Sequence, residues 1–284
     1  MINKYFDKHI FEIIKNRKSI RSYSKEELTE ETKEKLRKYM QNLSGPFPNN
    51  IRLELIDNSY ILEKADGKIG TYGIIKGAQH FIAAVIEKEE NSLEQLGYIL
   101  EELILYATSL GLGTCWMGGT FKRSDFAKLV GLKINEILPI VVPIGYPKEQ
   151  SSIVDHFMRY AAKSDQRKPW NDLFFNNDFG IALEMDNSDK YYEALEAVRL
   201  APSASNKQPW RILRSDNRYH FYLSSNKGYA EGLGFDIQRI DIGISMCHFE
   251  MVLKEKGING EWKYLSEKNN DMTDLTYIIS WVQS

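Results

Sequence analysis

The stretch ALEAVRLAPSASNKQPWRIL, Ala194–Leu213, decides how the rest of the chain is interpreted. Its first residues have helical apolar spacing, Pro202 ends the helix, and a run of small polar residues leads into a strand. A break of this kind, stiffened by two prolines, is typical of a ligand-binding turn. Such a turn usually lies near the start of its domain, whereas this one follows two thirds of the chain.

The composition indicates an ordinary folded protein. The chain has 284 residues, of which 43% are hydrophobic, enough for one large domain or two fused smaller ones. Its 37 basic and 39 acidic residues create no overall field that would favour nucleic acid or an anionic membrane. We therefore expect small molecules as its partners, with no nucleic acid and no membrane.

Cysteine and histidine usage points to a reducing compartment without a metal centre. Cys115 and Cys247 are too few for a secreted disulfide framework, and the five histidines have no metal-binding spacing. The N-terminus lacks the apolar core of a signal peptide, and no apolar run approaches the roughly 20 residues of a membrane helix. We expect a cytoplasmic protein.

Hydrophobic periodicity predicts the order of the elements along the chain. Helices are predicted over about 3–16, 24–41, 92–110 and 124–132, and strands over 50–57, 80–87 and 137–147. Ser24 and Glu27 have the spacing of a capping box for the second helix. Residues 151–180 read as an irregular linker, after which helix and strand patterns resume near Ser188.

The second part of the chain can be aligned with the first. A shift of 146 residues superposes Gly97 on Gly243, Gly111 on Gly257, and Trp116 on Trp262. Two long helices that both end in glycine caps would give part of this match. Because the order of helix, break, strand, long helix and Gly-Trp turn repeats as a set, we favour internal duplication.

The segment NRKSIRSY places Arg17, Lys18, Ser19 and Arg21 within five positions. Guanidinium groups beside a hydroxyl suit a phosphate monoester because they supply paired, charged donors. A solvated basic helix end, which the helix dipole favours, would look the same.

Three further segments are ambiguous when each is taken alone. In LGLGTCWMGG, the N–H groups of Gly118 and Gly119 could bond the edge of a heterocycle, or the segment is a glycine cap with a turn under Trp116. APSASNKQPW offers Ser203, Ser205, Asn206 and Gln208 to a planar ligand, or it is a Ser or Asx turn without one. RKPW, 167–170, is a basic pair or simple surface charge.

Taken together, RKSIRSY, GLGTCWMGG, VPIGYP, RKP and APSASNKQPWRI resemble the flavin-dependent nitroreductase superfamily. The resemblance covers most of residues 10–170 and, separately, 190–262. It implies an α+β fold of mainly antiparallel sheets flanked by helices, and a dimer whose subunits share each FMN.

The resemblance assigns roles residue by residue. The phosphate and ribityl chain of FMN would be held by Arg17, Lys18, Ser19, Arg21, Arg167 and Lys168. The isoalloxazine would be lined by Trp116, Met117, Gly118 and Gly119, with the Gly118 N–H as the donor to N5, and from the other half by Pro202, Ser203, Ala204, Ser205, Asn206 and Gln208. Thr71 and Tyr72 are weaker candidates for the pyrimidine side.

The chain departs from the family pattern in a complementary way. The first half has the basic motif and the glycine turn but LSGPFPN where PSxxN is expected, and the second half has PSASN but neither of the other two. We therefore predict a fused pseudo-dimer with halves 1–170 and 171–284 and one composite FMN site. Fusion would allow the chain to act as a monomer.

The activity implied by the resemblance is a ping-pong reduction. NAD(P)H would be the transient donor, and a nitroaromatic, quinone or similar conjugated compound the acceptor, with the chemistry carried by the flavin rather than by a catalytic side chain. A flavin-binding or sensing protein without turnover stays open. So does an enzyme of the same fold with other chemistry, such as reductive dehalogenation or flavin destruction.

Overall fold

The computed structural model describes residues 5–57, 70–148, 166–226, 228–229, 231–265 and 274–284. The chain forms two compact units: the first is Asn16–Lys163, and the second joins Met1–Lys15 to Ser164–Ser284. The N-terminal residues and the RKPW segment thus belong to the second unit. The division into halves 1–170 and 171–284 is based on a repeat in the sequence, and it stays a prediction.

The elements follow the predicted order. The helices are α1 (Ile10–Asn16), α2 (Glu30–Met40), α3 (Ser92–Ser109), α4 (Arg123–Leu129), α5 (Tyr192–Leu200) and α6 (Ile237–Glu255). The strands are β1 (Ile51–Asp57), β2 (His80–Glu87), β3 (Gly113–Thr114), β4 (Glu136–Gly145), β5 (Phe174–Asn176), β6 (Asp178–Ala182), β7 (Trp210–Ser215), β8 (Arg218–Leu223), β9 (Gly260–Lys263) and β10 (Thr276–Gln283). None of the described helices is long and apolar enough to cross a membrane.

The first unit is built on an antiparallel sheet of four strands in the order β1-β2-β4-β3. The strand β2 is buried along nearly its whole length because its sequence HFIAAVIE is apolar on both faces. Helix α3 packs against this sheet. On one face of the sheet, Phe81, Met117, Phe126 and Val141 form part of a buried cluster.

The second unit has a six-stranded sheet in the order β6-β5-β7-β8-β10-β9. All its pairs are antiparallel except β5 with β7. Its core contains large aromatic side chains that are less than 2% exposed, among them Trp210, Tyr219, Phe249 and Trp281. The predicted class, helices with mainly antiparallel sheets, is confirmed.

The two sheets share one topology. The order β1-β2-β4-β3 in the first unit has the same sequence of neighbours and directions as β7-β8-β10-β9 in the second. Moving α3 along by 146 residues gives 238–255, which coincides with α6 apart from its first residue.

A side-chain contact repeats at the same shift. Gln95 Oε1 on α3 accepts the N–H of Phe47 at 3.0 Å, and Asp241 Oδ1 on α6 accepts the N–H of Ala204 at 3.0 Å. Each acceptor lies near the start of a long helix, and 241 minus 95 is 146. Each bond ties down the chain between a shorter helix and a strand.

Two helix starts differ from the predictions. Helix α1 begins at Ile10, whose N–H is capped by Glu255 Oε1 at 3.0 Å, so the described residues before it are not helical. The N-cap of α2 is Thr29, whose Oγ1 accepts the N–H of Thr32 at 3.2 Å. The capping box at Ser24 was wrong because the Ser24 N–H is bonded to the carbonyl of Tyr146, at 3.0 Å, which holds this residue in extended chain. Half of the predicted linker, residues 151–165, lies outside the described residues. The described half is not wholly irregular, because it contains β5 and the start of β6.

Candidate functional site

Backbone pairing places the basic segment of the first unit beside the glycine turn. Ser19 pairs in parallel with Thr114 at β3, and the N–H of Ile20 donates to the Thr114 carbonyl at 2.8 Å. On its other side, the carbonyl of Arg21 accepts the N–H of Lys76 at 2.8 Å. RKSIRSY therefore lies between the turn that follows β3 and the segment that contains Thr71 and Tyr72.

Two glycines permit this close approach. A Cβ added at Gly113 would lie 2.9 Å from the side chain of Ile20. A Cβ added at Gly77 would lie 2.5 Å from the carbonyl oxygen of Tyr23, and Gly77 also has a φ of +78°. Side chains at these positions would push the basic segment away from its neighbours.

Arg17 belongs to a buried charged group that also holds the indole of Trp116. Its Nε lies 3.6 Å from Glu101 Oε1, and Trp116 Nε1 donates to Glu101 Oε2 at 2.8 Å. The side chains of Arg17 and Glu101 are only 8% and 0% exposed. Glu101 thus links the two sequence motifs of the first unit through one carboxylate.

The same arginine keeps donors available. Arg17 Nε and Nη1 are buried and have no hydrogen-bond partner among the described residues. Buried polar groups of folded proteins are nearly always bonded, so such donors fit a ligand rich in acceptor oxygens. This is the property expected of a residue that holds the phosphate or ribityl chain of a flavin.

The glycine turn presents backbone donors. Within the described part of the chain, the N–H groups of Gly118 and Gly119 have no hydrogen-bond partner, and both residues are at least partly exposed. The Met117 side chain is 1% exposed and packs in the core, while its N–H and carbonyl pair with Val141 at 3.1 Å each. Met117 therefore supports the turn from below, and the two glycines are its accessible part.

The remaining first-unit candidates differ in exposure. Lys18 is exposed, and Arg21 is half-buried with Nη1 donating to the Ser19 carbonyl at 3.4 Å. The carbonyl of Thr71 accepts the N–H of Ile74 at 3.0 Å, closing a turn. Within it, Tyr72 adopts a left-handed φ of +47° and leaves its side chain 68% exposed. An exposed aromatic ring on strained backbone is a candidate ligand contact.

In the second unit, Arg167 bonds directly to the PSASN turn. Its Nη1 donates to Asn206 Oδ1 at 3.2 Å, and its Nη2 donates to the Leu200 carbonyl at 3.0 Å. Asn206 Nδ2 in turn donates to the carbonyl of Gln166 at 2.7 Å. The basic pair at the end of the predicted first half and the turn of the second half thus form one hydrogen-bonded group.

Lys168 and Gln208 extend this group. Gln208 Oε1 accepts the N–H of Lys168 at 2.8 Å, and the N–H of Gln208 donates to Ser203 Oγ at 2.9 Å. Burial, the nearby Arg211 and Lys207 all lower the pKa of Lys168, an effect that Asp172 partly offsets. An anion at this position would relieve the repulsion between these cations.

The PSASN turn rests on a buried carboxyl group. Asp241 Oδ1 accepts the N–H of Ala204 at 3.0 Å, and its Oδ2 is buried without a hydrogen-bond partner among the described residues. Burial raises the pKa of Asp241 well above its usual value, because it disfavours the charged form of the carboxyl group. Pro202 and Ser203 are half-buried, and Ser205 Oγ accepts from Tyr229 at 2.8 Å.

Each unit therefore assembles its own part of the predicted set. The first unit brings together Arg17, Ser19, Arg21, Trp116, Gly118 and Gly119, and the second brings together Arg167, Lys168, Ser203, Ala204, Asn206 and Gln208. Sequence reasoning missed Glu101, Arg123 and Asp241, each of which supports one of these groups. A carboxylate inside the apolar run of α3 was the available signal for Glu101.

The described residues contain no cluster of three or more histidine, cysteine or carboxylate groups that could hold a metal ion.

Comparison with known proteins identifies the family of this chain. A family model described as “Putative TM nitroreductase” matches residues 9–253. A protein of Methanothermobacter thermautotrophicus named “Putative NADH dehydrogenase/NAD(P)H nitroreductase” is 30% identical over 164 residues, which are 52% of this chain and 82% of the relative.

A solved structure of a “putative nitroreductase” from Thermotoga maritima is similar along nearly the whole chain. It is 19% identical, covers 97% of this chain and 94% of its own, and has a TM-score of 0.60. This likeness confirms a nitroreductase-like fold.

Proposed function

The chain belongs to the “Putative TM nitroreductase” family, and from this premise we propose that it is an FMN-dependent oxidoreductase. The observation that carries the proposal is the pairing of Ser19 and Ile20 with Thr114, because it sets the buried donors of Arg17 beside the backbone N–H groups of Gly118 and Gly119, none of which has a hydrogen-bond partner in the described part of the chain. A flavin mononucleotide needs both, for its phosphate and for its ring.

Each group of residues has a separate task in this proposal. Arg17, Ser19 and Arg21 bind the ribityl phosphate, and the N–H groups of Gly118 and Gly119 bind acceptor atoms at the ring edge. When bound, FMN supplies the two-electron chemistry at N5. Glu101 fixes the position of Arg17 and Trp116 through the contacts at 3.6 and 2.8 Å.

We also propose that the chain is an internal duplication with one composite site. The common strand order, the coincident long helices and the equivalent Gln95 and Asp241 contacts all support a duplication. The relative from Methanothermobacter supports it too, because 82% of that protein matches only about half of this chain. The motif distribution then assigns the ring-side contact of the second half to Ser203, Ala204, Ser205 and Asn206.

We infer the donor and the acceptor from the resemblance to this family. NAD(P)H reduces the flavin, and a planar conjugated compound such as a nitroaromatic or a quinone then takes up the electrons. The exposed ring of Tyr72, four residues before the Lys76 that pairs with the basic segment, supports an aromatic acceptor, since two flat rings stack favourably. Both cysteines are buried and form no disulfide among the described residues, which supports a reducing, cytoplasmic location.

The absorbance spectrum of the purified protein tests the cofactor. We expect a yellow protein with flavin bands and about one FMN per chain. Stopped-flow mixing with NADH and with NADPH should bleach the band, and adding a quinone should restore it. A bound flavin that neither donor reduces would favour a flavin-binding or sensing protein without turnover.

Two substitutions test the composite site. Arg21→Ala and Asn206→Ala should each weaken FMN binding at least fivefold, since each removes one charged or amide contact. Lys38→Ala, which removes an exposed cation of α2, is the matched control and should leave FMN affinity unchanged. Two FMN per chain, or an Asn206→Ala protein with unchanged affinity, would contradict one shared site.

A further inference from the structure

Arg123, the first residue of α4, lies directly behind the glycine turn. Its Nη2 donates to the carbonyls of Gly118 and Pro139, the latter at 3.3 Å, and its Nε donates to the carbonyl of Leu138 at 3.2 Å. The guanidinium carbon lies 5.0 Å from the centre of the Phe121 ring. One side chain thus joins the turn to the buried strand β4.

The peptide before Gly118 is held by the sheet. The Met117 carbonyl accepts the N–H of Val141 at 3.1 Å, which fixes the plane of the Met117–Gly118 peptide. In a trans peptide the N–H points opposite to the carbonyl. The Gly118 N–H is therefore directed away from β4.

The next peptide has a different anchor. The carbonyl of Gly118 is held by Arg123, so the Gly119 N–H at the other end of that peptide points away from the guanidinium. Glycine backbones rotate more freely than any other, and no side chain at 118 or 119 restrains this peptide. Its orientation consequently depends on the arginine.

We propose that Arg123 is a positioning residue that aims the Gly119 N–H at a second acceptor of the isoalloxazine ring. This proposal rests on the proposed function, because it requires a bound flavin. The pair of donors is then set by two independent anchors, the sheet for Gly118 and the Arg123 guanidinium for Gly119.

The nature of the anchor has an electrostatic consequence. Reduction adds electron density to the flavin ring, and a hydrogen bond to a more negative acceptor is stronger. A half-buried cation that polarises the Gly118–Gly119 peptide strengthens the donor further. Arg123 should therefore stabilise reduced flavin more than oxidised flavin.

The test compares Arg123→Met and Arg123→Lys with Arg52→Met. Arg52 is the matched control because it is a half-buried arginine of the same unit that donates to the carbonyl of Val130 at 3.0 Å. Arg123→Met should weaken the binding of FMN and of riboflavin by the same factor, about five- to tenfold, since both ligands have the isoalloxazine ring. Arg123→Lys should lie between Arg123→Met and the native protein, and Arg52→Met should change neither affinity.

The midpoint potential separates positioning from simple loss of structure. We expect Arg123→Met to weaken the binding of reduced FMN about five- to tenfold more than that of oxidised FMN. This difference lowers the midpoint potential by about 20–30 mV for two electrons. In flavin-free protein labelled with 15N-glycine, the same substitution should shift or broaden the Gly119 cross-peak. Arg52→Met should leave both unchanged. If Arg123→Met does not fold, Arg123→Lys provides the same three measurements.

The outcomes distinguish the two proposals. A folded variant with native affinities, potential and Gly119 cross-peak would overturn the positioning role. So would an FMN affinity that falls at least tenfold more than the riboflavin affinity, because Arg123 would then contact the phosphate. A native protein that binds neither FMN nor riboflavin would refute the proposed function, while the glycine spectrum would still report on the anchor.

Discussion

Substitution of Glu101 tests whether one buried carboxylate holds the basic motif and the glycine turn together. Glu101 is fully buried and contacts both Arg17 Nε, at 3.6 Å, and Trp116 Nε1, at 2.8 Å. Glu101→Gln keeps an oxygen for the indole N–H but removes the charge that faces Arg17. Glu101→Ala removes both.

The magnitudes follow from the burial of both partners. Leaving one member of a buried ion pair without the other costs about 3–5 kcal/mol. Because the glutamine amide still offers a dipole to Arg17, we expect Glu101→Gln to lower the free energy of unfolding by about 2–4 kcal/mol. The alanine variant also loses a hydrogen bond worth about 1 kcal/mol, so its free energy of unfolding should fall by about 4–6 kcal/mol.

A double-mutant cycle with Arg17→Met isolates the pair. Each single change removes one member of the buried pair, whereas the double variant removes both, so the effects should be less than additive by at least about 2 kcal/mol. Urea unfolding of flavin-free protein, followed by circular dichroism, measures these values. Because the chain has two compact units, separate transitions are to be fitted if they appear.

The neighbouring residue provides the control. Glu102 accepts from the Tyr39 hydroxyl at 3.0 Å in a half-buried position, and Glu102→Gln should cost no more than about 1 kcal/mol. Two results would refute the reasoning: a Glu101→Gln effect no larger than this control, or additivity within about 0.5 kcal/mol in the cycle.

Three further predictions concern the pH dependence and the backbone. Burial lowers the pKa of His80 from 6.5, so on acidification the unfolded chain takes up this proton before the folded chain does. The free energy of unfolding should therefore fall as pH drops below about 6.5. His80→Gln should flatten that part of the urea-midpoint profile. Burial raises the pKa of Asp241 above 3.8 in the folded chain. The stability that Asp241 contributes is therefore present at low pH and is lost as pH rises towards the pKa of the folded state. Asp241→Asn should match the native protein near pH 4 and equal or exceed its stability at high pH, whereas a native-like decline with rising pH would argue against this assignment. Gly73→Ala should lower the free energy of unfolding by about 1–2 kcal/mol because of its φ of +72° alone. Gly77→Ala should cost about 1–3 kcal/mol more than Gly73→Ala, because its Cβ would also meet the carbonyl of Tyr23. Equal shifts of the melting temperature for the two variants would contradict the close approach of Gly77 to Tyr23.

Elements with a strong local signal could be predicted from the sequence. The long apolar run of α3 and the buried strand β2 appear within a residue or two of their predicted bounds, since each buries an apolar surface whatever its neighbours do. The start of α2 was placed wrongly because Ser24 satisfies a local capping rule, but its N–H is held by the distant Tyr146. Local capping rules do not take account of a hydrogen-bond partner that is distant in sequence.

The supporting residues of the candidate site were beyond sequence reasoning for the same reason. Arg123 reads as the first residue of a polar helix, and only the fold brings its guanidinium to the carbonyls of Gly118, Leu138 and Pro139. Asp241 reads as a polar position of a long helix, yet it is 3% exposed under the PSASN turn. Motifs that donate to a ligand can be read from the sequence, whereas the side chains that hold those motifs in place depend on tertiary contacts.

The PSASN turn shows how these contacts bear on function. Ser205, Asn206 and Gln208 all have left-handed φ values, of 47°, 54° and 48°, although none is glycine. Each such residue costs on the order of 1 kcal/mol, less for asparagine than for the others. A connection between α5 and β7 has no need of this backbone, because a turn without strain can join a helix to a strand. Arg167 and Asp241 fix the conformation from opposite ends of the turn, at Asn206 and at Ala204. Strain kept in place by an arginine and a buried carboxyl group is typical of a binding surface, and it favours the ligand-contact interpretation of this stretch over that of a plain Ser or Asx turn.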